Sequence, residues 1–211
     1  MKVAIIGAGN VGKALGSSLS RAGYDVTMSA STRESAEAAA VEVGAKAAQS
    51  TAAAAQDADV VILAVPYATA GEEVAKELAP VVADTVVIDA TNPIKPDYSG
   101  LATNGASGAE EFQRRLPDAK VVKAFNTVFA SNQANADESS DSTSEPIDGF
   151  IAGDDTEAKA TASKLVEAVG LRPIDVGPLS AARHLEGMAW LNIGLNAANG
   201  WGWTSAWHLH R

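Results

Sequence analysis

Six consecutive residues near the start of the chain restrict its fold more than any other feature. They form the G-x-G-x-x-G motif Gly7, Ala8, Gly9, Asn10, Val11 and Gly12. The motif follows the apolar run VAII and opens a helix-like segment, which is the context in which it binds a dinucleotide. Gly7 permits the tight turn, Gly9 lets the backbone approach a pyrophosphate, and Gly12 lets the helix pack close to the strand. The N–H groups at such a helix start favour an anion. We therefore predict that this motif binds a dinucleotide, in preference to a glycine turn without a ligand.

Short apolar runs alternate with helix-like segments along the chain, a pattern typical of βαβ units around a parallel sheet. The runs predict strands at VAIIG, YDVTMS, DVVILAVP, DTVVIDA, AKVVKAF, GFIAG and LRPIDV. Helices are predicted over 11–22, 33–43, 69–78, 156–169 and 180–199. Right-handed crossovers place helices on both faces of the sheet. We expect an α/β, Rossmann-type fold with a doubly wound, mostly parallel sheet. Residues 1–211 form one NADP-binding domain in this prediction, with 178–211 as a small C-terminal helical extension.

Charge and composition exclude several classes of function. The formal net charge is −10, which argues against nucleic-acid or anionic-membrane partners, because a polyanion requires Lys and Arg. The chain has no cysteine, so it forms neither disulfides nor thiolate sites. No apolar run approaches the roughly 20 residues of a membrane span. A secretory signal is also not apparent, and we expect a cytoplasmic protein. The polar, acidic stretch 131–145 predicts a surface loop, with a functional lid as the alternative.

The end of the second predicted strand selects the nucleotide. A site specific for NAD usually has Asp or Glu here, which binds the ribose 2′-OH. This chain instead has hydroxyl and guanidinium side chains, which suit a 2′-phosphate. They belong to Ser29, Ser31, Thr32 and Arg33. We predict NADP(H), although Thr32 could also cap the helix that follows.

Three further segments follow predicted strands, at the sheet edge where doubly wound folds bind ligands. They contain Val65, Pro66 and Tyr67, then Asn92, then Phe125, Asn126 and Thr127. The tyrosine offers a flat surface for a nicotinamide or its ribose. The two asparagines and the threonine carry neutral donors and acceptors, which suit ribose hydroxyls or a carboxamide. We predict that these residues line the reaction face.

No side chain is predicted to be catalytic, and no metal site is expected. None of the three histidines lies in a metal-ligand pattern or beside a nucleophile. Lys123 could donate a proton or pair with a carboxylate. Hydride transfer mainly requires two rings stacked in a dry pocket, so it is compatible with this lack of an acid–base pair. The four tryptophans lie in the last 22 residues and could cover a pocket, form a subunit interface or belong to the core.

Five motifs together resemble the F420-dependent NADP oxidoreductase family and the related cytoplasmic reductase domains of eukaryotic metalloreductases. They are GAGNVG, VPY, VVKAFNT, GDDTEAKA and GLRPIDVGPLSAARHLE, and the resemblance spans about 1–199. It implies a homodimer that binds NADPH, with the 2′-phosphate in the loop after the second strand. The residues after the VPY and KAFNT strands then line the nicotinamide.

The resemblance also implies a small-molecule hydride acceptor as the partner. We expect a flavin-like ring, with coenzyme F420 the leading candidate and FMN a further one. Two alternatives stay open. The chain could be an imine or carbonyl reductase that uses Lys123 or Tyr67 as proton donor, or a module that senses NADPH without turnover.

Overall fold

The computed structural model describes residues 1–135 and 146–210. Its strands are β1 (Lys2–Ile6), β2 (Asp25–Ser29), β3 (Lys46–Ala47), β4 (Val60–Leu63), β5 (Val86–Asp89), β6 (Lys120–Lys123), β7 (Asp148–Gly153) and β8 (Arg172–Asp175). Its α-helices are α1 (Asn10–Arg21), α2 (Arg33–Val43), α3 (Thr51–Ala55), α4 (Tyr67–Leu78), α5 (Gly108–Arg115), α6 (Ala130–Asn135), α7 (Thr156–Ala168) and α8 (Ala182–Asn199). A short 3₁₀ turn, Leu179–Ala181, leads into α8.

The strands form one eight-stranded sheet in the order β3-β2-β1-β4-β5-β6-β7-β8. The strands from β3 to β6 are parallel to their neighbours, β7 runs antiparallel to β6, and β8 is parallel to β7. The order reverses between β1 and β4. The crevice for a ligand therefore lies at the carboxyl ends of these strands. The predicted fold class, including the C-terminal helix, is confirmed.

Hydrophobic clusters cover both faces of the sheet. Ile5 belongs to the cluster with Leu15 of α1 and Leu165 of α7. The next residue, Ile6, belongs to the opposite cluster with Phe112 of α5. Successive strand residues point to opposite faces, so these nearly continuous apolar strands are buried on both sides. This packing fixes the carboxyl ends of the strands as a rigid edge.

Several elements differ from the sequence prediction. The structure adds the two-residue strand β3 and the short helices α3 and α5, none of which we predicted. The acidic stretch 131–145 is expected from the sequence to be a loop, but its first residues belong to α6. This helix is held by tertiary contacts, since the Ser18 hydroxyl donates to the Gln133 carbonyl at 2.7 Å. The rest of the stretch, 136–145, lies outside the described residues.

The C-terminal segment 200–210 crosses back over the domain without regular structure. Helix α8 ends at Gly200, which is left-handed with φ 64°. The carbonyl of Trp203 then accepts a bond from the Ser131 hydroxyl at 2.6 Å, and the carbonyl of Trp207 accepts one from the Asp148 N–H at 3.1 Å. Three of the four tryptophans, Trp201, Trp203 and Trp207, therefore lie along a segment tied to α6 and β7, whereas Trp190 belongs to α8. Within residues 1–135 and 146–210, no helix is long and apolar enough to cross a membrane.

Candidate active site

The three glycines of the motif have different steric surroundings. A Cβ on Gly7, whose φ is 124°, would lie 2.3 Å from the Ala64 carbonyl oxygen, and one on Gly12 would lie 2.0 Å from the Gly7 carbonyl oxygen. A Cβ on Gly9 would meet no atom within 4 Å. Gly9 is the N-cap of α1 and supplies no side-chain cap, so the first N–H groups of the helix have no such acceptor. The fold needs Gly7 and Gly12, whereas the space at Gly9 fits a pyrophosphate.

The loop after β2 presents polar groups beside the glycine turn. Ser29 is buried, its hydroxyl has no hydrogen-bond partner, and its carbonyl accepts the Gly7 N–H at 2.8 Å. Ser31 is exposed. The hydroxyl of Thr32 accepts the Ser35 N–H at 3.2 Å, so its role as a helix cap is confirmed.

Arg33 lies at the start of α2, where its Nε bonds to Glu37 Oε1 at 2.7 Å. Both side chains are more than half exposed. Such an (i, i+4) pair contributes only about 0.3–0.5 kcal/mol, so a phosphate can compete with it for the guanidinium. The arrangement fits a 2′-phosphate.

Two asparagines join the ends of β5 and β6. The Asn92 amide donates to the Asn126 carbonyl, and the Asn126 amide donates to Asn92 Oδ1, each at 2.9 Å. The same Asn126 nitrogen also donates to the Leu185 carbonyl at 3.1 Å. These bonds fix the orientation of the Asn126 amide. Its Oδ1 and the hydroxyl of Thr127 are left buried without partners. Asn126 is 6% exposed and Thr127 is 3% exposed.

An unpaired buried polar atom costs about 1–3 kcal/mol, which a ligand could recover by bonding to it. The preceding residue, Phe125, is also buried and has a left-handed backbone with φ 65°. Non-glycine residues in this region are strained, and such strain is concentrated at functional sites. The segment after β6 therefore has two independent marks of a binding site.

Two cavities open at this edge of the sheet. The first, which we name the amide pocket, has a volume of about 180 Å³. It is lined by Val11, Asn92, residues 125–130, Ala189, Asn192 and Ile193. The second, the tyrosine pocket, has a volume of about 240 Å³ and is lined by residues 66–69, Asn92, residues 94–96 and Tyr98. Asn92 lines both pockets, and the amide pocket reaches Val11 in the first turn of α1.

A buried ionic cluster lies at the ends of β5 and β6. The Lys123 ammonium donates to Asp89 Oδ2 at 2.8 Å, Glu186 Oε1 at 2.8 Å and the Thr91 carbonyl at 2.7 Å. All three charged side chains are at most 1% exposed. Glu186 also accepts the Gly108 N–H at the start of α5, at 2.9 and 3.1 Å. The cluster therefore joins the sheet, α5 and α8.

Burial by itself would lower the pKa of Lys123, but the carboxylates of Asp89 and Glu186 outweigh it and raise that pKa. Burial raises the pKa of Glu186 against the pull of Lys123. The ammonium has three donors and all three are used. The predicted pairing of Lys123 with a carboxylate is confirmed. All three N–H groups of its ammonium bond to residues of the cluster, so the side chain stabilises the fold.

Comparison with known proteins shows which family the first part of the chain is similar to. Residues 2–93 match the family described as NADP oxidoreductase, coenzyme F420-dependent. A protein of Arthrobacter sp. FB24 described as an F420-dependent NADP reductase is 26% identical, with a TM-score of 0.86 and full coverage of both chains. Over residues 2–93 the chain is therefore similar to the F420-dependent NADP oxidoreductase family, as its sequence motifs indicated. Its enzyme class is that of the NADP-dependent oxidoreductases, and the predicted binding of NAD(P) is confirmed at that level.

Two further proteins are similar to this chain, one over most of its length and one over about half of it. A hypothetical protein of Sinorhizobium meliloti, SMa0349, is 31% identical over 86% of this chain and 87% of its own, with a TM-score of 0.73. Metalloreductase STEAP3 of Rattus norvegicus is 34% identical over 114 residues, which is 52% of this chain. The oxidoreductase spans only 21% of the length of that curated relative.

In the oxidoreductase, the predicted site residues meet along one edge of the sheet, from the glycine loop through the two pockets. Val65 is half-buried behind Pro66, and the Tyr67 ring packs edge-on against Phe112 with centroids 5.4 Å apart. The ionic partners Asp89 and Glu186 were not predicted. His184, His208 and His210 are exposed. In the part of the chain that the structure describes, no group of three or more His, Asp or Glu is arranged to hold a metal ion.

Proposed function

We propose that the chain transfers hydride between NADP(H) and a flat, flavin-like acceptor, with coenzyme F420 the leading candidate. The observation that carries the proposal is the amide pocket, which adjoins the glycine loop through Val11 and is lined by Asn126 and Thr127, two residues with a buried polar atom that has no hydrogen-bond partner. The glycine loop would hold the pyrophosphate, and the loop after β2 the 2′-phosphate. The carboxamide of the nicotinamide would donate to Asn126 Oδ1. When bound, NADPH supplies a hydride and leaves as NADP⁺, and the reduced acceptor takes one proton from water.

The surroundings of Lys123 favour a flat acceptor over a ketone or an imine. A ketone needs a proton delivered as the hydride arrives, whereas a flavin or deazaflavin delocalises the charge in its own ring. Lys123 is fully buried and bonded to three acceptors, so it has no proton to deliver to a ligand. Tyr67 is then the remaining candidate donor from the sequence prediction. Its hydroxyl accepts a long bond from Arg115, at 3.5 Å.

The test is transfer of deuterium from C4-labelled NADPH in a single turnover, measured by mass spectrometry with F420, FMN, a ketone and a cyclic imine. We expect stereospecific transfer to F420 or FMN. Transfer only to the ketone or the imine would contradict the flat acceptor and make Tyr67 the residue to replace. Failure to oxidise NADPH with any acceptor would favour a sensing module instead.

Arg33 should determine the preference for NADPH over NADH. A charge-assisted contact with phosphate contributes about 1.5–3 kcal/mol, or roughly ten- to a hundredfold in affinity. We expect Arg33→Glu to reverse much of the preference in Kd values measured by calorimetry. Arg114→Glu is the matched control, because Arg114 is also exposed and paired on a helix surface. Equal Kd values for the two nucleotides in the unmodified protein would rule the proposal out.

The assembly and location are part of the same proposal. The family resemblance supports a homodimer, and the acidic net charge of −10 supports a small-molecule partner over a nucleic acid. We place this single-domain oxidoreductase in the cytoplasm.

A further inference from the structure

The tyrosine pocket is the space next to the proposed nicotinamide site. The amide pocket and the tyrosine pocket share the side chain of Asn92, so ligands in the two pockets would meet across that residue. This inference rests on the proposed function, which assigns the amide pocket to the nicotinamide. The tyrosine pocket is then the adjoining cavity for the second reactant, at the carboxyl ends of β4 and β5.

The walls of the tyrosine pocket are rigid and suit a flat ring. Pro66 and Pro96 restrict the backbone on two sides, and Tyr67 is held by its edge-on contact with Phe112. Aromatic side chains bind other rings by stacking or edge contacts. The two prolines and Tyr67 therefore give the pocket planar and inflexible surfaces.

The second tyrosine is presented by a closed loop. The Tyr98 N–H donates to the Lys95 carbonyl at 2.9 Å, and the Lys95 N–H donates to the Gly100 carbonyl at 2.9 Å. Tyr98 is 69% exposed and left-handed, with φ 55°. The loop thus holds a large aromatic ring in solvent at the rim of the pocket, where a bound ring could cover it.

Lys95 gives this pocket a positive charge. Of the described residues that line the pocket, Lys95 alone has a charged side chain. Within the part of the chain that the structure describes, this side chain forms no ion pair within 4 Å. The nearby carboxylate of Asp97 accepts the Ser99 N–H at 3.0 Å, and its pKa is lowered mainly by this bond and to a smaller extent by the charge of Lys95. In a chain of net charge −10, an exposed cation beside two tyrosines, with no carboxylate of the described residues within 4 Å, favours a ligand that carries an anionic group.

We propose that the tyrosine pocket binds the hydride acceptor and selects a flat ring that carries an anionic group, such as a phosphate, which Lys95 binds. Tyr67 and Tyr98 contact the ring, and Lys95 distinguishes charged from uncharged forms of the same ring. The amide pocket has no charged residue among the described residues that line it, and it holds the nicotinamide.

The test compares FMN with riboflavin, which have the same ring and differ by one phosphate. Kd values are measured by flavin fluorescence with the protein saturated with NADP⁺. We expect FMN to bind about tenfold or more tightly than riboflavin, with a preference that declines as salt is added. Lys95→Gln should lower the affinity for FMN to that for riboflavin and leave riboflavin unchanged. Tyr98→Ala should weaken both ligands alike.

Lys46→Gln is the control, because Lys46 is an exposed lysine near the amino ends of the strands, paired with Asp25. It should leave both affinities unchanged. Equal binding of FMN and riboflavin, or equal weakening of both by Lys95→Gln, would overturn this inference and leave the flavin-like acceptor standing. Binding of neither flavin would also overturn the inference, and the deuterium-transfer experiment with F420 would then decide the proposed acceptor class separately. Displacement of NADP⁺ by the flavins would also overturn it, since the two ligands would then share one site.

Discussion

Replacing Lys123 by methionine should lower the free energy of unfolding by about 3–5 kcal/mol at neutral pH. Methionine keeps much of the apolar side chain but removes the cation that is bonded to Asp89, Glu186 and the Thr91 carbonyl. Two carboxylates would then be buried without a counter-charge, which is far more costly than the loss of an exposed ion pair. Urea denaturation followed by circular dichroism measures the difference. Lys46→Met, which breaks the exposed pair with Asp25, is the control and should change stability by about 1 kcal/mol or less.

The free energy of unfolding that Lys123→Met loses should depend on pH, and the pKa shifts of the ionic cluster determine the direction. Because folding raises the pKa of Lys123, its stabilising contribution is complete below the ordinary lysine pKa and is lost as pH rises through the raised value. Folding also raises the pKa of Glu186, so the stability due to its protonated form is present in acid and lost as pH rises through that value. The loss of stability in Lys123→Met should therefore be smaller in acid, where Glu186 takes up a proton, and Glu186→Gln should partly restore the stability of the variant at neutral pH. A deficit below about 1 kcal/mol would show that the cluster does not anchor α8.

Replacing Gly9 by valine should abolish NADPH binding while the fold is retained. The backbone at residue 9 is extended, with φ −77° and ψ −174°, which suits a β-branched residue, and a Cβ there meets no atom within 4 Å. The side chain would instead occupy the space assigned to the pyrophosphate. We expect a loss of at least about a hundredfold in affinity by calorimetry, or about 2.7 kcal/mol.

Gly12→Ala is the matched comparison and should have the opposite outcome. Its Cβ would lie 2.0 Å from the Gly7 carbonyl oxygen, so the turn itself must move. We expect a lowered melting temperature for this variant and a native one for Gly9→Val. A folded Gly9→Val protein that binds NADPH normally would show that the pyrophosphate lies elsewhere.

The strands and the glycine loop could be predicted because their signals are local. Helix α5 was missed because it is short and polar, and its one clear signal is the capping box formed by Ser107 and Glu110. Helix α6 lies in an acidic stretch. Its Gln133 side chain is buried, and the amide donates hydrogen bonds to the carbonyls of Phe125 and Val128. Such tertiary contacts leave no periodic pattern in the sequence.

The ionic cluster was predictable only in part. Asp89 and Lys123 are paired in the β5–β6 register, so two parallel strands ending together could have indicated their contact. Glu186 is 63 residues beyond Lys123, on a helix whose position depends on the packing of the whole sheet. The sequence of α8 alone does not distinguish this buried glutamate from an exposed one.

The reversed direction of β7 places GDDTEAKA, one of the five motifs that carry the resemblance, far from the proposed site of hydride transfer. Because β7 runs against β6, GDDTEAKA begins at the end of the sheet opposite both pockets, where Asp155 lies 3.8 Å from Lys120 at the start of β6. Its carboxylates have architectural partners: Asp154 accepts the Leu179 N–H at 2.9 Å, and Asp155 caps α7 by accepting the Ala158 N–H at 2.8 Å. The turn therefore stabilises the fold at a distance from both pockets, and these bonds involve none of the residues that line them. Finding the motif in another chain predicts a reversed strand and a capped helix, and it carries no information about the molecule which that chain reduces.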